Sequence, residues 1–183
     1  MEKIISFNDN INIENKRVLL RSDFNVPILN QVVQDKTRIN LSIPFIKSLL
    51  KNKAKIILIS HLGRPKNKGD KSFSLKPVYE YLKKKIDYKI YFYKDEITNE
   101  TKEKISFLKS GELILLENIR FNDGEIKNDD DFAKNLSLIG DIYINDAFSC
   151  SHRKQASIHK ITKYIKKSYA GPLLKKEVEA INA

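Results

Sequence analysis

The stretch Arg17-Val-Leu-Leu-Arg-Ser-Asp-Phe-Asn-Val-Pro27 joins a short apolar run to a cluster of polar turn residues. Four more runs of this kind occupy residues 55–60, 88–93, 112–116 and 141–145. Several are apolar on both faces, which is typical of strands in a sheet that is covered on each side. The runs therefore predict five strands, the first of them at 17–21.

Amphipathic stretches separate the predicted strands. Within 39–50, Ile39, Ile43, Ile46 and Leu50 fall at helical spacing, with Pro44 expected in or near the first turn. Further helices are predicted at 75–85, 95–108 and 129–138, the last with acidic residues at its N-terminus. Strands that alternate with helices predict an α/β fold, a three-layer Rossmann-like domain whose mostly parallel sheet is flanked by helices on both faces.

Length and composition suit a cytoplasmic globular protein. The chain has 183 residues, 41% of them hydrophobic, which fits one good-sized domain. Its apolar runs are too short for a membrane span, and its first residues lack the apolar core of a secretory signal. The single cysteine, Cys150, cannot form an internal disulfide, which favours a reducing compartment. We expect no membrane partner.

The net charge of +11 raises the possibility of nucleic-acid binding. The lysines, however, are scattered along the whole chain, and no recognition-helix, zinc-ligand or ribonucleoprotein motif accompanies them. The charge therefore indicates a solvated basic surface, and we expect no specific nucleic-acid partner.

Arginine is used sparingly, since only six of the 34 basic residues are Arg. Its planar fork binds carboxylates and phosphates in bidentate geometry. Polar residues follow four of the predicted strands: Asp23, Asn25, His61, Arg64, Arg120, His152 and Arg153. The carboxyl ends of parallel strands form the rim where open α/β sheets bind ligands, and Arg38 at the start of the first helix can reach that rim. The pattern predicts one site for a small anion.

Other interpretations of these residues remain open. The arginines could be scattered over the surface, and Asp23 and Asn25 could simply shape a turn. His61 could be a structural histidine, and nothing in the sequence orients His152. A nucleophilic pair of Cys150 and His152 is disfavoured because near neighbours on a strand or loop point apart and no orienting third group is present.

Several segments, in order, carry a family resemblance. They are Arg17 to Pro27 as quoted, Asp35-Lys-Thr-Arg-Ile39, Ser60-His-Leu-Gly-Arg-Pro65, Leu116-Glu-Asn-Ile-Arg-Phe-Asn122, Asp141-Ile-Tyr-Ile-Asn-Asp-Ala-Phe148, Ser151-His-Arg153 and Ala170-Gly-Pro-Leu-Leu-Lys-Lys-Glu-Val178. Together they closely resemble the N-terminal domain of phosphoglycerate kinases. The family transfers a phosphoryl group between 1,3-bisphosphoglycerate and ADP, giving 3-phosphoglycerate and ATP.

The resemblance implies a role for each site residue. Arg38 matches the family's catalytic arginine, which also contacts substrate by bridging its carboxyl and the moving phosphoryl group. Arg120 and Arg153 would hold the phosphate that is not transferred. The other implied substrate-binding residues are Asp23, Phe24, Asn25, His61, Leu62, Gly63 and Arg64. Arg21 and His152 would add to the basic patch.

The resemblance also implies a domain plan. Residues 1–169 would form the phosphoglycerate-binding domain and 170–183 the start of the interdomain segment, without the C-terminal nucleotide-binding domain. Mg-ATP or Mg-ADP would be bound mainly by that absent domain, so we expect neither a cofactor site nor a metal site in this chain and no turnover by it alone. The full-length protein would be a cytoplasmic monomer.

Two substitutions depart from the family pattern. Ser149 replaces a glycine, and Gln155 replaces a second histidine of the basic patch. Two other functions stay open on the sequence: a non-catalytic module that binds small phosphorylated acids, and a nonspecific polyanion binder driven by the net charge.

Overall fold

The computed structural model describes residues 5–147 and 152–183, and its centre is a six-stranded sheet. The strand order is β5-β6-β4-β1-β7-β8, and every neighbouring pair is parallel. The strands are β1 Arg17–Arg21, β4 Lys55–Ile59, β5 Ile90–Tyr93, β6 Leu113–Leu116, β7 Ile142–Asn145 and β8 Ser168–Ala170. A separate antiparallel hairpin follows β1, made of β2 Ile28–Leu29 and β3 Val32–Val33.

Helices fill most of the connections between strands. They are α1 Thr37–Lys51, α2 Lys76–Lys85, α3 Thr101–Lys104, α4 Asp123–Ile126, α5 Asp130–Ser137, α6 Ile161–Tyr164 and α7 Pro172–Ile181. Two short 3-10 helices occupy Lys71–Phe73 and Ile119–Phe121. Within the described residues, we find no helix that combines the length and apolar character needed to cross a membrane.

The sheet separates two hydrophobic cores because successive strand side chains point to opposite faces. In β1, Val18 and Leu20 join one core, whereas Leu19 joins the other. Helices α1 and α2 cover the first face with residues such as Ile46 and Leu82. Helices α5 and α6 cover the second. The predicted three-layer α/β fold is confirmed, and its six-stranded sheet is wholly parallel.

The predicted helix over 95–108 is wrong for most of its length. Only α3 is helical there, because side chains bind the backbone that precedes it. The N–H of Ile97 donates to Asn122, and the N–H of Thr98 donates to the hydroxyl of Thr101, both at 2.9 Å. Ile97 and Ile105 still reach the core, so the apolar spacing reflects burial and not a continuous helix.

Pro44 lies in the middle of α1 and not in or near its first turn as predicted. A proline there removes the hydrogen bond that the carbonyl of Asn40 would otherwise accept. Asn40 is exposed, so water can solvate that carbonyl. The helix consequently continues through Pro44 to Lys51.

Strand β8 was not among the strands predicted from the sequence, and the first described residues extend the sheet beside it. Ser6 forms a parallel bridge with Ala170. The N–H of Phe7 donates to the Ala170 carbonyl at 2.9 Å, and the Phe7 ring packs edge-on against Phe45 and Tyr169. The first described residues therefore pair with β8 at one edge of the sheet.

Candidate functional site

The carboxyl ends of the central strands lie at one rim of the sheet. Arg21 at the end of β1 is in register with Ile59 of β4 and Asn145 of β7. The segments that carry Asp23, His61 and Arg120 leave neighbouring strands at this level. The predicted rim of polar residues is thus a consequence of the strand order.

Arg38 is held over the rim by the turn that follows β1. Its Nη1 lies 3.2 Å from Oδ2 of Asp23 and donates to the Asn25 carbonyl at 3.1 Å. The side-chain oxygen of Asn25 accepts from the N–H of Gly63 at 2.9 Å. The Arg38 side chain is 51% exposed, so its guanidinium is fixed by these contacts and still accessible to solvent.

The loop at Gly63 also contacts Arg120, the second arginine at the rim. Nη1 of Arg120 donates to the Gly63 carbonyl at 2.7 Å. Gly63 has a φ of +57°, and a Cβ on it would lie 2.4 Å from the ring of Phe73. Only glycine fits this backbone without strain or a clash. Residues from three strand ends therefore meet at this one loop.

Asn118 holds the same loop in place through its side-chain amide, a role that was not predicted from the sequence. Its buried amide donates to the carbonyls of Leu62 and Phe73 and accepts from the N–H groups of Leu62 and Arg120. The sequence carries only a weak signal for this role, an asparagine just before a turn. The hydroxyl of Ser60 plays a smaller part by accepting from the N–H of Phe24 at 3.0 Å.

His61 and Arg21 form the buried floor of the site. Nη2 of Arg21 lies 3.2 Å from Nδ1 of His61. Arginine can only donate, so Nδ1 must accept and the ring is neutral with its proton on Nε2. Burial lowers the pKa of His61 to about 3, helped by four nearby guanidinium charges, those of Arg21, Arg120, Arg153 and Arg38. The positive charge at this rim is therefore carried by arginines.

A buried carboxyl lies behind Arg21. Nε of Arg21 donates to the hydroxyl of Ser157 at 2.9 Å, and the N–H of Ser157 donates to Oε1 of Glu125 at 2.8 Å. Arg21, Ser157 and Glu125 are all fully buried. Neither Ser157 nor Glu125 was predicted from the sequence. The buried guanidinium of Arg21 is thus bound by Ser157, whose backbone N–H is in turn bound by the Glu125 carboxyl.

Comparison with known proteins assigns the family. The phosphoglycerate kinase family model matches residues 8–183. The chain belongs to the phosphoglycerate kinase family. Among curated phosphoglycerate kinases, that of Coprothermobacter proteolyticus is 46% identical over 171 residues, which cover 93% of this chain and 43% of the relative. That of Wolbachia sp. subsp. Drosophila simulans is also 46% identical over 171 residues, covering 93% of this chain and 42% of the relative.

Solved structures agree with this family assignment. The phosphoglycerate kinase of Coxiella burnetii superposes with a TM-score of 0.87 at 38% identity, over 98% of this chain and 44% of that one. The enzyme from Pyrococcus horikoshii OT3 gives a TM-score of 0.84 at 30% identity, over 98% and 45%. The chain spans less than half the length of the phosphoglycerate kinases that it matches.

The remaining residues predicted from the phosphoglycerate kinase resemblance differ in solvent exposure. The side chains of Phe24 and Leu62 are buried in the core. Arg64 and His152 are exposed, whereas Gln155 is buried. Ser149 and Cys150 lie outside the described residues.

Arg17 is the exception among the arginines. It lies at the opposite end of β1 from the rim and forms an ion pair with Asp141 at 2.8 Å. In the part of the chain that the structure describes, no group of three or more His, Cys, Asp or Glu side chains is placed to hold a metal ion.

Proposed function

We propose that this chain is the phosphoglycerate-binding half of a phosphoglycerate kinase. Such an enzyme transfers a phosphoryl group reversibly between 1,3-bisphosphoglycerate and ADP, giving 3-phosphoglycerate and ATP. The observation that carries the proposal is the loop at Gly63, which is hydrogen-bonded to Asn25 and to Arg120 beside the Arg38–Asp23 pair. Family membership supports it.

The charge of the proposed ligand matches the rim. A phosphate monoester carries about −1.5 to −2 charge near neutral pH, and the carboxylate of 3-phosphoglycerate adds another negative charge. Each charged hydrogen bond from an arginine contributes roughly 1.5–3 kcal/mol before ordering costs. A neutral His61 can donate from Nε2 without altering the charge of the site.

In this proposal each residue keeps the role implied by the family. Arg120 and Arg153 bind the phosphate that is not transferred, and Asp23 accepts from the glycerate hydroxyl. Arg38, once drawn away from Asp23, stabilises the phosphoryl group in flight. Phosphoryl transfer depends mainly on such alignment and charge stabilisation.

The domain plan and setting belong to the same proposal. Residues 1–169 form the substrate domain, and 170–183 begin the interdomain segment. This boundary falls just before Ala170, the last residue of β8, and shortly before α7 begins at Pro172. Mg-ATP or Mg-ADP binds mainly to the half of the enzyme that this chain does not include. The chain alone binds substrate without turnover, and the complete enzyme is a cytoplasmic monomer.

Calorimetric titration of the 183-residue chain with 3-phosphoglycerate tests the proposal. We expect one saturable site. Absence of saturable binding would overturn the proposal, and tight, salt-sensitive binding to DNA instead would favour the polyanion interpretation.

Substitution of Arg38 by lysine separates binding from catalysis. In a chimera that joins this chain to the second half of a curated relative, we expect Arg38→Lys to lower kcat by about 10³-fold, because lysine lacks the planar fork. The affinity for 3-phosphoglycerate should fall far less. Arg17→Lys, at the other end of β1, is the matched control and should leave kcat unchanged. Equal kcat in Arg38→Lys and the parent would remove Arg38 from the catalytic role.

A further inference from the structure

Glu125 is a buried carboxyl with an incomplete set of hydrogen bonds. It lies on α4, where the chain leaves the arginine rim, and it is fully buried. Oε1 accepts from the N–H of Ser157 at 2.8 Å. Oε2 has no hydrogen-bond partner within the described residues. A buried carboxylate normally satisfies both oxygens, so this one calls for a physical explanation.

The charges that act on Glu125 belong to the candidate site. Burial raises the pKa of Glu125 above its ordinary range, and it is opposed by the charge of Arg21, by the hydrogen bonds from Ser157 and by the charge of Arg120. The other ionisable groups on residues 123–134 and 152–160 are half-exposed or exposed, namely Asp123, Lys127, Asp129, Asp130, Asp131, Lys134, His152, Arg153, Lys154, His159 and Lys160, and the buried Tyr143 donates its hydroxyl to the Ser157 carbonyl. The ionised form of Glu125 is therefore stabilised by Arg21, by Ser157 and by Arg120, and the two charges among these are arginines of the site.

We propose that the Glu125 carboxylate is the buried counter-ion of the site formed by Arg21 and Arg120, and that its protonation is coupled to anion binding at this site. When an anion occupies the site, Glu125 takes up one proton from the solvent on Oε2 and becomes neutral. This inference rests on the proposed function, because it needs an anionic ligand at Arg120. Glu125 does not touch that ligand. It acts through Arg21 and Arg120 and is a positioning residue.

Protonation of Glu125 is coupled to ligand binding because the Glu125 carboxylate and the bound anion are stabilised by the same guanidinium groups. A bound phosphate neutralises the charge that stabilises the Glu125 carboxylate, while the burial that disfavours the carboxylate stays unchanged. The pKa of the group then rises on binding, and the affinity for the anion increases as the pH falls. Each pKa unit of this rise corresponds to a tenfold gain in affinity at low pH. His61 does not contribute near neutral pH, since its pKa is about 3.

Calorimetry in buffers that differ in their enthalpy of ionisation measures the proton directly. The 183-residue chain is titrated with 3-phosphoglycerate and, separately, with sulfate, which does not titrate between pH 5 and pH 8.5. We expect net uptake of up to one proton with both titrants within that range. Release from the phosphate group of 3-phosphoglycerate would have the opposite sign.

Two variants assign the proton. Glu125→Gln keeps the shape of the protonated acid, so it should bind without proton uptake and with the affinity that the parent reaches at low pH. Asp123→Asn removes an exposed acid from the same helix and should keep the uptake. An infrared difference spectrum of the parent should show a carboxylic-acid band that appears with ligand, which tests the idea even if Glu125→Gln fails to fold.

The outcomes separate this inference from the proposed function. Saturable 3-phosphoglycerate binding combined with sulfate binding that takes up no proton in the parent, or with uptake that persists in Glu125→Gln, overturns the role of Glu125 alone. No saturable binding of 3-phosphoglycerate overturns the proposed function.

Discussion

Asp146 joins the end of the sheet to the start of α7. Its side chain is buried, and Oδ1 accepts from the N–H of Leu173 at 2.8 Å and from that of Leu174 at 3.4 Å. A Cβ on Gly171 would lie 2.4 Å from the same oxygen. Burial raises the pKa of Asp146 to about 6, although the two backbone hydrogen bonds act in the opposite direction.

This shift predicts a loss of stability as the pH rises. Between the ordinary pKa of an aspartate, about 3.9, and about 6, the folded chain binds more protons at Asp146 than the unfolded chain. The free energy of unfolding should therefore decrease through this window, by up to about 3 kcal/mol from this group. Asp146→Asn keeps an acceptor for Leu173 and should remove that decrease.

Urea denaturation of parent and variant from pH 4 to pH 7 measures the difference between their profiles. Other carboxyl groups contribute to both profiles and cancel in the difference. Asp123→Asn, an exposed acid-to-amide change, serves as the control. Parallel profiles for Asp146→Asn and the parent would refute the prediction.

At the level of single residues, the sequence identified the candidate site residues whose chemical type is unusual for this chain. Arginine stands out among 28 lysines, so Arg38 and Arg120 could be singled out. Asn118 and Glu125 could not, because asparagine and glutamate are common surface residues. The partners of Asn118 at Leu62 and Phe73 lie 56 and 45 positions away. Only the assembled sheet brings them together.

The loop between β4 and α2 is the element that joins the two sides of the site. Its two glycines both have positive φ, +57° at Gly63 and +74° at Gly69. A Cβ on Gly63 would collide with Phe73, whereas one on Gly69 would meet nothing within 4 Å. Substitution by alanine would therefore strain the backbone at both positions, but it would cause a steric clash only at Gly63.

We expect Gly63→Ala to weaken 3-phosphoglycerate binding at least tenfold, because the alanine must move Phe73 or the carbonyl that Arg120 contacts. Gly69→Ala carries only the left-handed backbone cost of about 1–2 kcal/mol and should bind normally. Calorimetric titration and thermal unfolding of both variants compare the two effects. Equal affinities would show that the loop geometry does not matter for the ligand.

Among the elements, the strands were predicted better than the helices. Apolar runs such as Lys55–Ile59 are covered on both faces and carry a strong signal. The helix predicted at 95–108 is wrong for most of its length because the side chains of Asn122 and Thr101 accept hydrogen bonds from the backbone N–H groups of Ile97 and Thr98 and hold it in turns. Strand β8 was missed because its three residues, Ser-Tyr-Ala, are too short and too polar to stand out.

For the whole molecule, the contact between the first described residues and β8 should contribute measurably to stability. Phe7 is partly buried against Phe45 and Tyr169, and its backbone pairs with Ala170. We expect Phe7→Ala to lower the free energy of unfolding by about 2 kcal/mol, since a partly buried ring loses less than a fully buried one.

Phe107→Ala is the control for Phe7→Ala. That ring is 49% exposed and makes one edge-on contact with Tyr91, so its loss should cost less than about 1 kcal/mol. Denaturant unfolding of the two variants measures both values. A larger loss for Phe107→Ala than for Phe7→Ala would contradict the role of the edge contact.

The bridge between Ser6 and Ala170 also sets an order for folding during synthesis. Strands β1, β4, β5 and β6 all lie within residues 17–116, so they can pair before β7 and β8 have been synthesised. The bridge closes a long loop, which is entropically costly and slow. Ser6 is thus synthesised well before its partner Ala170 and can dock only once β8 has formed.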